Sequence, residues 1–388
     1  MIYLDNNAST ALDPEVREAM NAALELYGNP SSVHSAGRRA RRAIEEAREE
    51  VALLVGARSE EIFFTSGGTE SNALAIFGTI ARARGRIVTS AAEHPSVREP
   101  VARLAEAGFE TASVSPDRSG ALDPAKVADA ALPGTLLVSV MAANNEYGGL
   151  YPILAIAAEA RERGIAIHTD AVQAAGRVSI DVASWGVDLL SLSAHKIHGP
   201  KGTGALYVRH GVTLEPHTPG GGQERRIRAG TENTIGIVGF GIAARLARER
   251  LSSEPAQIGR RRDRLEMGIL ETIPGTTAVG AGTPRLPNTS AILFDGLSGD
   301  ALLFRLDLEG IAVSVGSACS SGTLAPSPAI LALGFSREQA KGVVRFSLSR
   351  LTTDEEIERV LRILPGLVAD ARAARSRGPS PATVPADA

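Results

Sequence analysis

From about residue 60 to 210, short apolar stretches alternate with amphipathic ones, and few folds accommodate that rhythm. Strands are expected at Ile62–Thr65, Ile87–Ser90, Leu136–Met141, Ile165–Thr169, Leu189–Ser193 and Ala205–Val208. Helical stretches fall between them, such as Thr69–Arg84 and Ile153–Arg163. In the second, Ile153, Ile156, Ala157 and Ala160 recur at helical spacing, and Gly164 is placed to cap. Apolar strands joined by helices make a mostly parallel sheet covered on both faces, an α/β fold. Ligands of such sheets sit beyond the carboxyl ends of the strands. Polar clusters at those ends are therefore the first candidates for chemistry.

Outside that region the pattern differs. Asp13-Pro-Glu-Val opens a helix running to about Leu26, with Asp13 as cap and Pro14 in the first turn. A second helix runs from about Ala36 to Val55, with Ala40, Ile44, Ala47, Val51 and Leu54 on one face. From about residue 256 a charged helix, Ile258–Thr272, leads to shorter elements and a final helix near Thr353–Arg375, together a smaller α+β unit. The expected division is an N-terminal segment (1–14) packing with the small domain, a large domain (15–255), a small C-terminal domain (256–375) and a disordered, proline-bearing tail (376–388).

Composition removes several function classes. With 44% apolar and 22% charged residues and a net charge of −3, the chain reads as a soluble globular protein. Neither nucleic acid nor an anionic membrane is an electrostatically favoured partner. Met-Ile-Tyr-Leu-Asp-Asn-Asn lacks the features of a signal peptide, and no apolar run approaches ~18 residues, so a cytoplasmic location is expected. Cys319 is the single cysteine, which excludes an intramolecular disulfide and a cysteine-rich metal site within one chain. His195-x-x-His198 has no obvious third and fourth ligand, and no metal is expected.

The chain has 41 basic residues, but only Lys126, Lys196, Lys201 and Lys341 are lysines. Arginine cannot lose its proton, whereas a lysine amine in a tuned site attacks carbonyls. Lys196 follows the strand Leu189–Ser193 and His195, and precedes a glycine-rich turn. Other clusters end other strands. Thr65-Ser-Gly-Gly-Thr-Glu-Ser-Asn opens a helix at Gly68 and Thr69, whose amides suit a phosphate; an ordinary strand-to-helix turn is the plain alternative. Asp170 closes a buried strand, where a carboxylate needs a cation or donor, and Gln173 follows three residues on; the alternative is a capping Asp. His94 follows Ile87–Ser90 and suits acid–base work or stacking on a flat cofactor, and Asn145 follows another strand. Together these groups call for a planar, phosphorylated aldehyde with a basic ring nitrogen, held by a lysine. Pyridoxal 5′-phosphate (PLP) fits that description.

At this point the sequence resembles the cysteine desulfurases, fold-type I PLP enzymes of the class V aminotransferase group. The motifs are Tyr3-Leu-Asp-Asn-Asn-Ala, Gly28-Asn-Pro-Ser-Ser-Val-His34, Ser66-Gly-Gly-Thr-Glu-Ser71, Glu93-His94, Asn144-Asn-Glu146, Asp170-Ala-Val-Gln173, Ser193-Ala-His-Lys196 and Gly230-Thr231. They span about residues 2 to 365. Ser314-Val-Gly-Ser-Ala-Cys-Ser-Ser-Gly-Thr323 is similar to the active-site loop of the NifS/IscS-like branch, and its small neighbours leave Cys319 no apolar face to bury.

The resemblance implies a seven-stranded large domain and the following site. Lys196 holds PLP. Gly68, Thr69, Ser193 and His195 hold its phosphate, helped by Thr231 from the second subunit of a homodimer. Asp170 faces the ring nitrogen, Gln173 the phenolic oxygen, and His94 stacks and shuttles protons. Arg345 and Asn145 hold the carboxylate of L-cysteine; a guanidinium fork suits that task. Cys319 accepts the sulfur, leaving L-alanine, and passes it to an acceptor such as an iron–sulfur scaffold protein. Two positions depart from the family pattern: Ala325 stands before Pro326 where an acidic residue is usual, and Arg226 stands where glycine is common. A selenocysteine lyase or related class V enzyme, or a non-catalytic sulfur carrier, are the alternative readings.

Overall fold

The structure, a computed structural model, describes residues 1–81, 84–316 and 325–376. Cys319 and most of the tail expected from residue 376 onward lie outside the described residues. The chain enters through the short strand β1 (Ile2–Tyr3) and two helices, α1 (Pro14–Ala23) and α2 (Ser35–Val55). Asp13 caps α1 through a 2.9 Å bond accepted from the amide of Glu15, and Gly56 ends α2 in the left-handed conformation.

Seven strands follow: β2 (Ile62–Thr65), β3 (Arg86–Ser90), β4 (Glu110–Val114), β5 (Thr135–Ser139), β6 (Ala166–Asp170), β7 (Leu189–Ser193) and β8 (Gly204–Val208). They form one sheet in the order β2-β8-β7-β6-β5-β3-β4. All pairings are parallel except those of β8, which runs against β2 and β7. Helices α3 (Gly68–Ile80), α4 (Pro95–Glu106), α5 (Pro124–Ala130), α6 (Ile153–Glu162) and α7 (Val182–Trp185) connect these strands. The central strands are apolar because both faces are covered; every residue of β7 is buried. The edge strand β4 is mostly exposed and reads Glu-Thr-Ala-Ser-Val, too polar to stand out in the sequence.

Helix α8 (Thr234–Arg250) then packs back on α1 and α2, and α9 (Glu254–Thr272) leads to a second sheet. That sheet joins β9 (Thr276–Val279), β10 (Thr289–Phe294), β12 (Ser314–Val315) and β13 (Val343–Ser347) in the antiparallel order β12-β13-β10-β9. Helices α10 (Gly299–Leu308), α11 (Pro328–Ala332), α12 (Arg337–Lys341) and α13 (Asp354–Ser376) complete it. Strand β11 (Ile311–Ala312) pairs in parallel with β1. Ile2 and Leu4 share a core with Phe294, Phe346 and Leu364, so the first residues of the chain close the second sheet. No helix among the described residues is long and apolar enough to cross a membrane.

Candidate active site

At the carboxyl ends of β2, β3, β5, β6 and β7 the connecting loops enclose a cavity of about 210 Å³. Gly68, Thr69, His94, Asn145, Asp170, Gln173, Ser193, His195 and Lys196 all line it. These sequence-derived candidates are distributed over 129 residues of chain and meet because parallel strands deliver their ends to one edge. Arg345 lies beyond the cavity wall, touching it through the carbonyl of Asn145. Thr231 is exposed and not part of the wall.

Lys196, in a short 3₁₀ turn after β7, directs its amine inward. Its Nζ donates to the carbonyls of Asn7 at 2.6 Å and Ala8 at 2.8 Å. Opposite, Asp170 is buried, accepting at Oδ1 from the Val172 amide (2.9 Å) and at Oδ2 from Asn72 Nδ2 (2.7 Å). Gln173 donates through Nε2 to the carbonyl of Asn7 at 2.9 Å, while its Oε1 accepts from Arg177. The Gln173 amide therefore turns its nitrogen, not its oxygen, away from Arg177.

His94 caps α4 from one side of the cavity; its Nδ1 accepts from the amide of Ser96 at 3.1 Å. Burial lowers its pKa, and the cations Lys196 and Arg98 act in the same direction against the pull of Asp170. His195, whose Nδ1 meets Ser9 Oγ at 3.2 Å, is pushed down to about 4 by burial and by Lys196, Lys201 and Arg177. Glu93, behind His94, is pushed up to about 8 by burial; Ser90 and the Met141 amide bond one oxygen and the other has no partner. The carboxyl of Glu93 is thus held as an acid beside a cavity that already contains the Asp170 carboxylate.

Arg345 is buried on β13 and spans the two sheets. It donates from Nη1 to the carbonyl of Asn145 (2.9 Å) and from Nη2 to Asp5 Oδ1 (2.7 Å), leaving a buried Nε without partner. Ser327 donates to the buried carboxyl group of Glu146, the residue after Asn145.

Several residues that organise this site carried no role in the sequence. Asn7 joins three of its walls, donating to the carbonyl of Asn145 (3.0 Å) and accepting from both Lys196 and Gln173. Asn72, one turn beyond Gly68, and Ser96, two residues beyond His94, also line the cavity. The i+4 spacing of Asn72 from Gly68 was the available signal: that spacing places it on the same helix face as the cradle.

A lysine amine, a buried carboxylate and an open helix N-terminus thus meet at the rim of a doubly covered sheet, the arrangement of an enzyme that handles a small phosphorylated ligand. The Aminotransferase class-V family model matches residues 2–360, and the chain belongs to that family. Within it, the chain is similar to proteins named cysteine desulfurase. One from Sinorhizobium fredii is 47% identical over 379 residues, covering 96% of this chain and 98% of the relative. Among solved structures, a NifS-like protein superposes with a TM-score of 0.88 at 35% identity, covering 95% of this chain and 99% of its own. A structure described as SspA in complex with cysteine gives a TM-score of 0.81 at 35% identity, covering 91% and 100%. The mixed α/β fold with its large, mostly parallel sheet is the one the sequence led us to expect.

Proposed function

We propose that this chain is a PLP-dependent cysteine desulfurase that takes L-cysteine as sulfur donor and Cys319 as the first acceptor. The observation that carries the reading is the cavity itself, with an amine, a carboxylate and a helix N-terminus converging on about 210 Å³. The residues fit PLP. The 13-residue helix α3 presents its first amides at Gly68 and Thr69, favourable to a phosphate beside Ser193 and His195. A Cβ at Gly68 would stand 2.7 Å from the Val172 methyl and fill that cradle. Asp170 offers a buried anion to a ring N–H, Gln173 offers an N–H to a phenolic oxygen, and Lys196 offers the anchoring amine. PLP, when bound, supplies an electron sink for a carbanion next to an amine.

The chain's own residues then divide the work. Arg345 and Asn145 receive the substrate carboxylate; the unpartnered Nε of Arg345 supports this, because a buried donor without a partner costs roughly 1–3 kcal/mol until a ligand arrives. Lys196 Nζ carries the Cα proton. His94 covers the cofactor's face. The Cys319 thiolate attacks the substrate sulfur; as the new S–S bond forms, the C–S bond breaks, and its electron pair and a proton complete the methyl group of L-alanine. The resulting persulfide serves an iron–sulfur scaffold or another sulfur acceptor. Thr231, exposed in the single chain, reaches the phosphate of a second copy in a homodimer.

Brief exposure of the PLP-loaded protein to L-cysteine, followed by mass spectrometry, tests the reading. One added sulfur on Cys319 and one alanine are expected. Cys319→Ser should keep the yellow colour and release no sulfur; unchanged turnover in that variant, or a wild-type protein that cannot be loaded with PLP, refutes it.

A further inference from the structure

A chain of hydrogen bonds runs from Asp170 to His94, and each link fixes the direction of the next. Asn72 is fully buried, and its Nδ2 lies 2.7 Å from Asp170 Oδ2 and 2.8 Å from Ser96 Oγ. The opposite amide orientation would set Asn72 Oδ1 against a carboxylate oxygen at hydrogen-bond distance, so the nitrogen must face Asp170. Both Nδ2 hydrogens are then committed, one to Asp170 and one to Ser96. Because Ser96 Oγ accepts from Asn72, its own hydrogen is free to be donated to His94 Nδ1, 2.7 Å away. The Ser96 amide donates to the same nitrogen at 3.1 Å. Two donors converge on Nδ1, which must carry a lone pair.

We infer that Asn72 and Ser96 lock His94 in the neutral form protonated at Nε2, making it an N–H donor and a flat cover rather than a proton acceptor. They are positioning residues, acting on the cofactor pocket through His94. The surroundings agree from each side. His94 caps the positive end of α4, where an imidazolium is disfavoured. Lys196, from the turn after β7, and Arg98, on α4, oppose a further positive charge, and Asp170, on β6, is the carboxylate that favours one. Glu93, beside it in sequence, is held as an acid. Protonating Nδ1 would turn two donors against a third. The proton shuttling expected of His94 from sequence therefore passes to Lys196. The inference rests on the function proposed above for what His94 faces, but not for the network.

The test uses the full-length protein labelled with ¹⁵N at its seven histidines, with His94 assigned by comparison with His94→Asn. At about pH 7.5 the proton should reside on Nε2, and the His94 midpoint should lie below the ordinary imidazole value of about 6.5. Ser96→Ala removes one donor and should raise the proton affinity of His94 about tenfold, moving its midpoint up by about one unit. Ser96→Thr should restore it. A wild-type proton on Nδ1, or a midpoint no higher in Ser96→Ala than in wild type, overturns the inference. Should Ser96→Ala fail to fold, the wild-type tautomer still decides. The titration is read with or without PLP, so failure to bind PLP would sink the proposed function and leave this measurement standing.

Discussion

Arg226 has a φ of 68°, the last of three successive left-handed residues after Glu224 (42°) and Arg225 (53°). Such a conformation costs an L-residue about 1–2 kcal/mol, and glycine escapes it. Here the fold holds Glu224 in place: its carboxylate receives both terminal nitrogens of the buried Arg48 at 2.8 Å and the Phe64 amide at 2.8 Å. Arg226 is exposed and has no such role. Arg226→Gly should therefore stabilise the protein by about 0.5–1 kcal/mol after glycine's greater unfolded-state entropy is subtracted. Thermal unfolding should show Tm rising by about 1–2 °C. The glycine that the resemblance leads one to expect at this position would adopt that dihedral without the Cβ penalty. Single residues were legible where their chemistry is rare, as with Lys196 or Asp170. They were not where a common residue acts by hydrogen-bond direction, as Asn72 and Ser96 do.

Helix α8 shows why elements can stay hidden. Its first half reads Thr-Ile-Gly-Ile-Val-Gly-Phe-Gly, low in helix propensity and apolar all round, and no helix was expected there. The glycines answer to packing. A Cβ at Gly241 would come within 2.6 Å of the Cα of Ala47 on α2, so the two helices approach at a distance only glycine permits. Two effects compete in Gly241→Ala. Helix propensity favours alanine by about 1 kcal/mol, but forcing α2 and α8 apart costs about 1–3 kcal/mol. The clash involves backbone, which cannot turn aside, and overpacking should win. Tm is expected to fall; a rise would mean that the helices separate freely. By contrast, β2 and β7 were expected at Ile62–Thr65 and Leu189–Ser193 and are found there, because strands buried along their whole length write themselves as apolar runs. The edge strand β4 lacks that pressure and was missed.

At the scale of the whole molecule, the sheet interior holds ionisable groups whose protons must be accounted for on unfolding. His168 is fully buried on β6, its Nδ1 2.8 Å from Ser139 Oγ on β5 and its Nε2 3.0 Å from Ser191 Oγ on β7. Burial lowers its pKa to about 3 from 6.5. Between those values the unfolded chain binds a proton that the folded chain refuses, so stability falls as pH falls. The loss begins near pH 6.5 and proceeds at up to about 1.4 kcal/mol per unit. Glu93 works in the opposite direction. Its carboxyl is raised to about 8 from 4.5, so the folded chain keeps a proton that the unfolded one releases, and this stability is lost as pH rises from about 4.5 to about 8. Because the slopes oppose each other between pH 4.5 and 6.5, a wild-type curve alone cannot separate them, whereas differences between variants can. Relative to wild type, His168→Gln should gain on the order of 2 kcal/mol between pH 6.5 and 5. Glu93→Gln should gain relative to wild type as pH rises through neutrality. Denaturant unfolding across this range measures both. Parallel curves for wild type and His168→Gln would show that His168 takes up its proton in the fold, and with it that the sheet interior tolerates a charge between β5 and β7.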